Sequence, residues 1–182
     1  MSRFGKFTQL PLMTSSEDSI STFTFDGSKY SSNYIDFSPV ENEDQSHNPL
    51  QTLSTAQQQV ITQNSVTGFP FIDIANKYIA TDAIVQPTTI QGLSQQDIAN
   101  MLTNPSQSVT QQILGAANYF TAAVCLATNN QPASVCNSAP IPSISNYLTT
   151  NVVASVSSAM PLSAIAENCL GQPATCPERQ DL

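Results

Sequence analysis

The chain has 182 residues, enough for one domain of ordinary size with a single core and a modest appendage, and too few for two full domains. Only 10% of the residues are charged and the net charge is −8; the five basic residues (Arg3, Lys6, Lys29, Lys77 and Arg179) form no cluster, which argues against nucleic acid and an anionic membrane surface as partners. No run of about 20 apolar residues exists, so no membrane insertion is expected of the chain, and its first residues carry no signal-peptide pattern.

In chain order, Ser2 to Gly5 reads as a helix end, with Arg3 in the last turn and Gly5 where left-handed backbone stops it; this predicts a preceding element. Thr8 to Met13 and Thr22 to Phe25 are strand candidates, joined by turn-rich segments such as Asp26-Gly27-Ser28. Tyr34 to Val40 alternates polar and apolar residues and predicts another strand. Glu41 to Leu53 is acidic and polar with Pro49, and reads as a surface loop. A helix over Ala56 to Asn64 follows, with Ser54 or Thr55 as its cap.

The strongest local signal is Gly68 to Ala80, read as two strands around a tight Ala75-Asn76-Lys77 turn. Gln91 to Thr103 predicts a short helix capped by Ser94 and ended by Asn104-Pro105. From Ser108 to Thr128, Val109, Ile113, Ala116, Phe120 and Val124 recur at three and four residues, which marks one buried stripe of a longer helix. Ser138 to Pro142 reads as a stiff linker, because each proline fixes its own φ and disfavours helix before it. Beyond it, Ile144, Leu148, Val152 and Val156 predict a helix over Ser143 to Ser158, and Pro161 can open a second one carrying Ile165.

Four cysteines occupy the last third as two local pairs, Cys125 with Cys136 and Cys169 with Cys176, with ten and six residues between partners. Four cysteines allow three connectivities; the sequential one is favoured because short loops close at least entropic cost. Disulfides place the chain in an oxidising compartment, hyperthermophile interiors excepted. Neither pair has Cys-x-x-Cys spacing and no basic cluster lies nearby to stabilise a thiolate, so structural bridges are favoured over redox centres.

His47 is the only histidine, which excludes a cluster of histidine metal ligands; it lies in a polar loop and reads as solvated. Glu41, Glu43 and Asp44 share that loop without an ordered spacing for Ca²⁺ ligands, so they read as a solvated acidic surface. No phosphate-cradling glycine motif is present, and no cofactor or metal is expected.

A proline opening a strand that turns at once into a hairpin is the arrangement by which thioredoxin-like domains face a proline towards their active-site disulfide. Gly68-Phe-Pro-Phe-Ile-Asp-Ile-Ala-Asn-Lys-Tyr78, together with Ile113 to Cys125, Asn130 to Cys136, Ser2 to Gly5, the Thr22 to Phe25 block and Tyr34 to Glu41, resembles the DUF929 family of uncharacterised thioredoxin-like proteins. The resemblance covers about Ser2 to Cys136. It implies an α/β (α+β) fold with a central mixed sheet and flanking helices, a cis-proline at Pro70 whose neighbourhood at Phe69 faces a peptide, and pairing of Cys125 with Cys136. Cys169 and Cys176 lie in a tail outside the family pattern.

Family members carry a first strand and a Cys-x-x-Cys helix before the Ser-Arg-Phe-Gly block, and no cysteine precedes Cys125 here. The resemblance therefore implies residues 1–137 as a thioredoxin-like domain lacking its first strand and active-site helix, with 138–182 as linker and helical extension. Three functional readings follow: a non-catalytic binding or structural module, a fragment of an extracytoplasmic thiol-disulfide oxidoreductase whose motif lies upstream, and a secreted or surface interaction protein. Expected partners are a peptide or protein at the Pro70 edge, and a second copy covering apolar surface that the absent elements leave open.

Overall fold

A computed structural model describes residues 3–14, 21–81, 83–152 and 160–161. Among them the architecture is mixed α and β, six helices with three small sheets. Its centre is the helix α4 (Ser108–Ala127). Residues Thr121 to Cys125 of this helix are all buried, so this stretch is enclosed on every side. The buried threonines of α4 are satisfied within the chain: Thr110, in its first turn, donates to the Met101 carbonyl at 2.6 Å, and Thr121 donates to the Ala117 carbonyl at 2.6 Å.

Two helices complete this layer. The short α5 (Ala133–Cys136) and the longer α6 (Ile141–Val152) both pack on α4, and on each other. Ile141, Ile144 and Leu148 recur at three and four residues and are 1%, 5% and 0% exposed, which puts one stripe of α6 into the same core as Cys125 and Cys136. Burying each such side chain contributes roughly 1.5–3 kcal/mol. The stiff linker expected over 138–142 is instead the entry to this helix: Pro140 accepts from the Ile144 N–H at 3.3 Å, and Pro142 sits in the first turn, where a missing N–H removes no intrahelical bond.

The hairpin lies where the sequence predicts it. Strand β5 (Phe71–Ile74) pairs antiparallel with β6 (Tyr78–Thr81), with Ile74 opposite Tyr78 and Phe71 opposite Thr81. Ala75 and Asn76 take positive φ values of 55° and 54° to close the turn. Ile74, Tyr78 and Ala80 join the helical core. The strand β7 (Met160–Pro161) adds in parallel beside β6; Pro161 therefore belongs to a strand and not to a helix start, while Ile165 lies outside the described residues.

Ahead of the hairpin are two ribbons. Strand β1 (Gly5–Gln9) pairs with β4 (Lys29–Ser32), and β2 (Leu12–Thr14) with β3 (Ser21–Phe23). The run predicted as one strand over Thr8 to Met13 is split at Pro11, whose ring removes a ladder donor. Tyr34 to Val40 is irregular in spite of its alternation. Ile35 packs against the main core, while Phe37 turns into a separate cluster with Phe7, Phe25 and Tyr30, ring centroids 4.8–6.1 Å apart. Two anchors, not a ladder, produce the periodicity.

Gly5 is not a left-handed helix stop. It lies within β1, opposite Ser32, and a Cβ there would collide with the Ser31 carbonyl and the Tyr30 phenol. The residue is glycine because Tyr30 crosses over it. Phe4, 4% exposed, plugs the ribbon into the α4 core, and Arg3 reaches Asn118 and Thr121 on α4 at 3.0 and 3.1 Å.

The remaining helices are α1 (Thr55–Gln63), α2 (Pro87–Ile90) and α3 (Gln95–Met101). Ser54 and Ser94 form reciprocal capping boxes with Gln57 and Asp97, which sets where α1 and α3 begin. Helix α2, opened by Pro87, is too short to leave a periodic signal in the sequence.

Candidate functional site

The chemistry-bearing residues expected from the sequence do not converge on one cleft. Cys125, near the end of α4, and Cys136, the last residue of α5, form a disulfide with Cα atoms 5.6 Å apart. The chain can close this short loop because Asn129 and Asn130 adopt positive φ values of 53° and 58° after α4. Asn is one of the few residues that enter this region at low cost. Thr128 then donates to the Gln131 carbonyl at 2.6 Å, and α5 returns Cys136 to the core. The two half-cystines are 0% and 3% exposed. A thiol-exchange centre needs an accessible sulfur and a stabilised thiolate; this bridge is enclosed in apolar side chains. Cys169 and Cys176 lie outside the described residues.

Pro70 leads directly into β5, and the Phe69–Pro70 peptide bond is cis. Phe69 is 63% exposed, the most open large apolar side chain among the described residues. It offers solvent an aromatic face beside an extended backbone.

The acidic loop is organised by its own hydrogen bonds. Asp44 accepts from the Ser46 and Asn48 N–H groups at 2.7 and 2.9 Å and from the Asn48 amide, and these bonds hold its carboxyl below the usual carboxylate range. Glu41 accepts from the Thr24 hydroxyl and the Phe25 N–H, which ties the loop to the aromatic ribbon. His47 Nδ1 lies 3.0 Å from Glu43 Oε2 on the open surface. Among the described residues no group of three His, Cys, Asp or Glu side chains is arranged to hold a metal ion.

One acidic residue was not singled out by the sequence reading. Asp73, in the middle of β5, accepts from the Asn76 N–H at 3.3 Å through Oδ2, while its Oδ1 is buried with no partner. Burial pushes its carboxyl above the ordinary value of 3.8, with the Asn76 bond opposing the rise. Its signal in the sequence is a lone charge inside the apolar run Phe71 to Ile74. At the α4–α6 contact, burial and the neighbouring Tyr147 push the Tyr119 phenol up to about 12.

Among the described residues no helix is long and apolar enough to cross a membrane. No protein-family model, curated protein or solved structure matches the chain. The functional reading therefore rests on the geometry of the cysteine bridge and of the Phe69 surface.

Proposed function

We propose that the chain is a non-catalytic, thioredoxin-like module of the DUF929 type that serves a binding or structural role in an oxidising, extracytoplasmic compartment. The observation that carries this reading is the burial of Cys125 and Cys136, at 0% and 3% exposure, inside the core built by α4, α5 and α6. A bridge so placed restrains the chain and is out of reach of a substrate disulfide. The order of proline-led strand, tight hairpin and long helix supports the thioredoxin-like assignment. Exposed Phe69 beside the start of β5 supports an extended peptide or protein segment as the ligand, held by backbone pairing and an aromatic contact.

The test is steady-state reduction of insulin disulfides by a dithiol in the presence of the native chain. The expected rate equals that of the dithiol alone. Turnover above that rate which disappears in Cys125→Ala contradicts the proposal.

A further inference from the structure

We infer that α6 is the lid over the Cys125–Cys136 bridge, so that thiol-disulfide exchange at this bridge proceeds only when α6 undocks from α4 and α5. The inference goes beyond the structural role proposed above and does not depend on the thioredoxin-like assignment.

Cys125 enters the core from α4 and Cys136 from α5. The apolar stripe Ile141, Ile144 and Leu148 of α6 lies in the same buried cluster as both half-cystines, and α6 packs on both helices that carry them. Five residues, three of them on one helix, thus share a core in which none is more than 5% exposed. Exchange requires a thiolate to approach a sulfur in line with the S–S bond. The short segment Asn137 to Pro140 is all that joins α5 to α6, and the next described strand after α6 is β7, which pairs with β6, so outward movement of α6 is set by these two connections and leaves the β1–β4 ribbon with its own pairing.

The step itself is ordinary exchange with a dithiol reductant. Its thiolate attacks one cysteine sulfur, the S–S bond breaks, and the electron pair leaves on the other cysteine. The reductant's second thiol then displaces the first cysteine and closes the reductant's own disulfide. Two electrons pass to the protein, and both cysteines end as thiols after taking protons from the reductant's thiols or from water. In this structure the slow event is the opening that precedes attack.

The opening differs from global unfolding in what controls it. The experiment treats the native, oxidised full chain with dithiothreitol, quenches by alkylation at intervals, and maps Cys125 and Cys136 specifically by peptide mass spectrometry. Leu148→Ala removes a fully buried anchor of the lid and is expected to accelerate reduction by about 30-fold or more, from the usual cost of truncating a buried leucine. Ile144→Val, a milder change that keeps the helix, is expected to give about 2- to 10-fold if Leu148→Ala does not fold. Phe37→Ala, which loosens the aromatic ribbon, is expected to leave the rate within about 2-fold, as for distant independent sites.

Equal acceleration by Phe37→Ala and the α6 variants overturns the inference, because the bridge then opens with the whole fold. A rate equal to that of the urea-unfolded chain, and unaffected by either α6 variant, overturns it too, because the sulfurs are then open to reductant in the native state.

Discussion

Replacing both Cys125 and Cys136 by alanine removes the covalent link between α4 and α5. The partners are 11 residues apart in sequence, and closing a loop of that size in the unfolded chain costs about 3 kcal/mol in the chain-entropy description. The loss should come mainly from a freer unfolded state, because the native segment between the cysteines has its own restraints. The Asn130 N–H donates to the Cys125 carbonyl at 2.7 Å, Thr128 holds Gln131, and the Cys136 N–H donates to Pro132 at 3.0 Å. For a chain of this size about 3 kcal/mol corresponds to a fall in Tm of about 6–12 °C. The assay is thermal unfolding followed by far-ultraviolet circular dichroism, with a urea titration of the same samples. The double variant is expected to keep its helix content and melt earlier. An unchanged Tm refutes the reasoning, since a bridge that restrains the chain cannot be removed without effect.

Gly5→Ala places a methyl group against the Ser31 carbonyl and the Tyr30 phenol, so either the β1–β4 register or the Tyr30 ring must shift. A loss of about 1–3 kcal/mol, as in overpacked cores, is expected in urea unfolding, and a stability equal to that of the parent chain rules out the close crossing. Asp73→Asn tests the buried carboxyl. Because its folded-state pKa is raised, the folded chain holds the proton more tightly, and the charged form lowers stability once pH rises above the unfolded value of 3.8 and through the folded one. The variant should therefore be the more stable of the two at pH 7, with the gap closing as pH falls below 3.8; a gap that persists or grows in acid contradicts the assignment. Ser54→Ala breaks the capping box with Gln57 and should reduce stability by about 1 kcal/mol, with hydrogen exchange accelerated in the first turn of α1; exchange unchanged there means the cap does not hold that turn.

The parts of the fold legible in the sequence were those whose signal is local. The hairpin over 71–81 follows from apolar strands around a tight turn, α4 from a long stripe at helical spacing, and the Cys125–Cys136 pairing from short loop closure. Prolines near 140 were misleading because the residues that decide the matter, Ile141 and Leu148, take their meaning from contact with α4. The same holds for Tyr34 to Val40, whose alternation comes from Ile35 and Phe37 facing two different clusters. Gly5 announced a special backbone position, but the reason lies 25 residues away in Tyr30. Strand β4 was missed because Lys29-Tyr-Ser-Ser32 has one large apolar residue, and its pairing with β1 is nonlocal.

Of the candidate site, the cysteine pair could be read from spacing, whereas its enclosure by α6 could not. Asp73 carried a visible signal as a charge in an apolar strand, yet only the structure separates a buried oxygen from an exposed one.

Most depends on the Cys125–Cys136 bridge being formed in the native protein. The direct measurement is a non-reducing peptide map of the native chain, with and without prior exposure of the folded protein to an alkylating reagent. A single cross-linked species joining the Cys125 and Cys136 peptides, with no alkyl label at either residue until the bridge is reduced, is the predicted result. Labelling of Cys125 or Cys136 in the folded protein would contradict the account, for it would mean that free, reachable thiols stand where the structure has a buried staple.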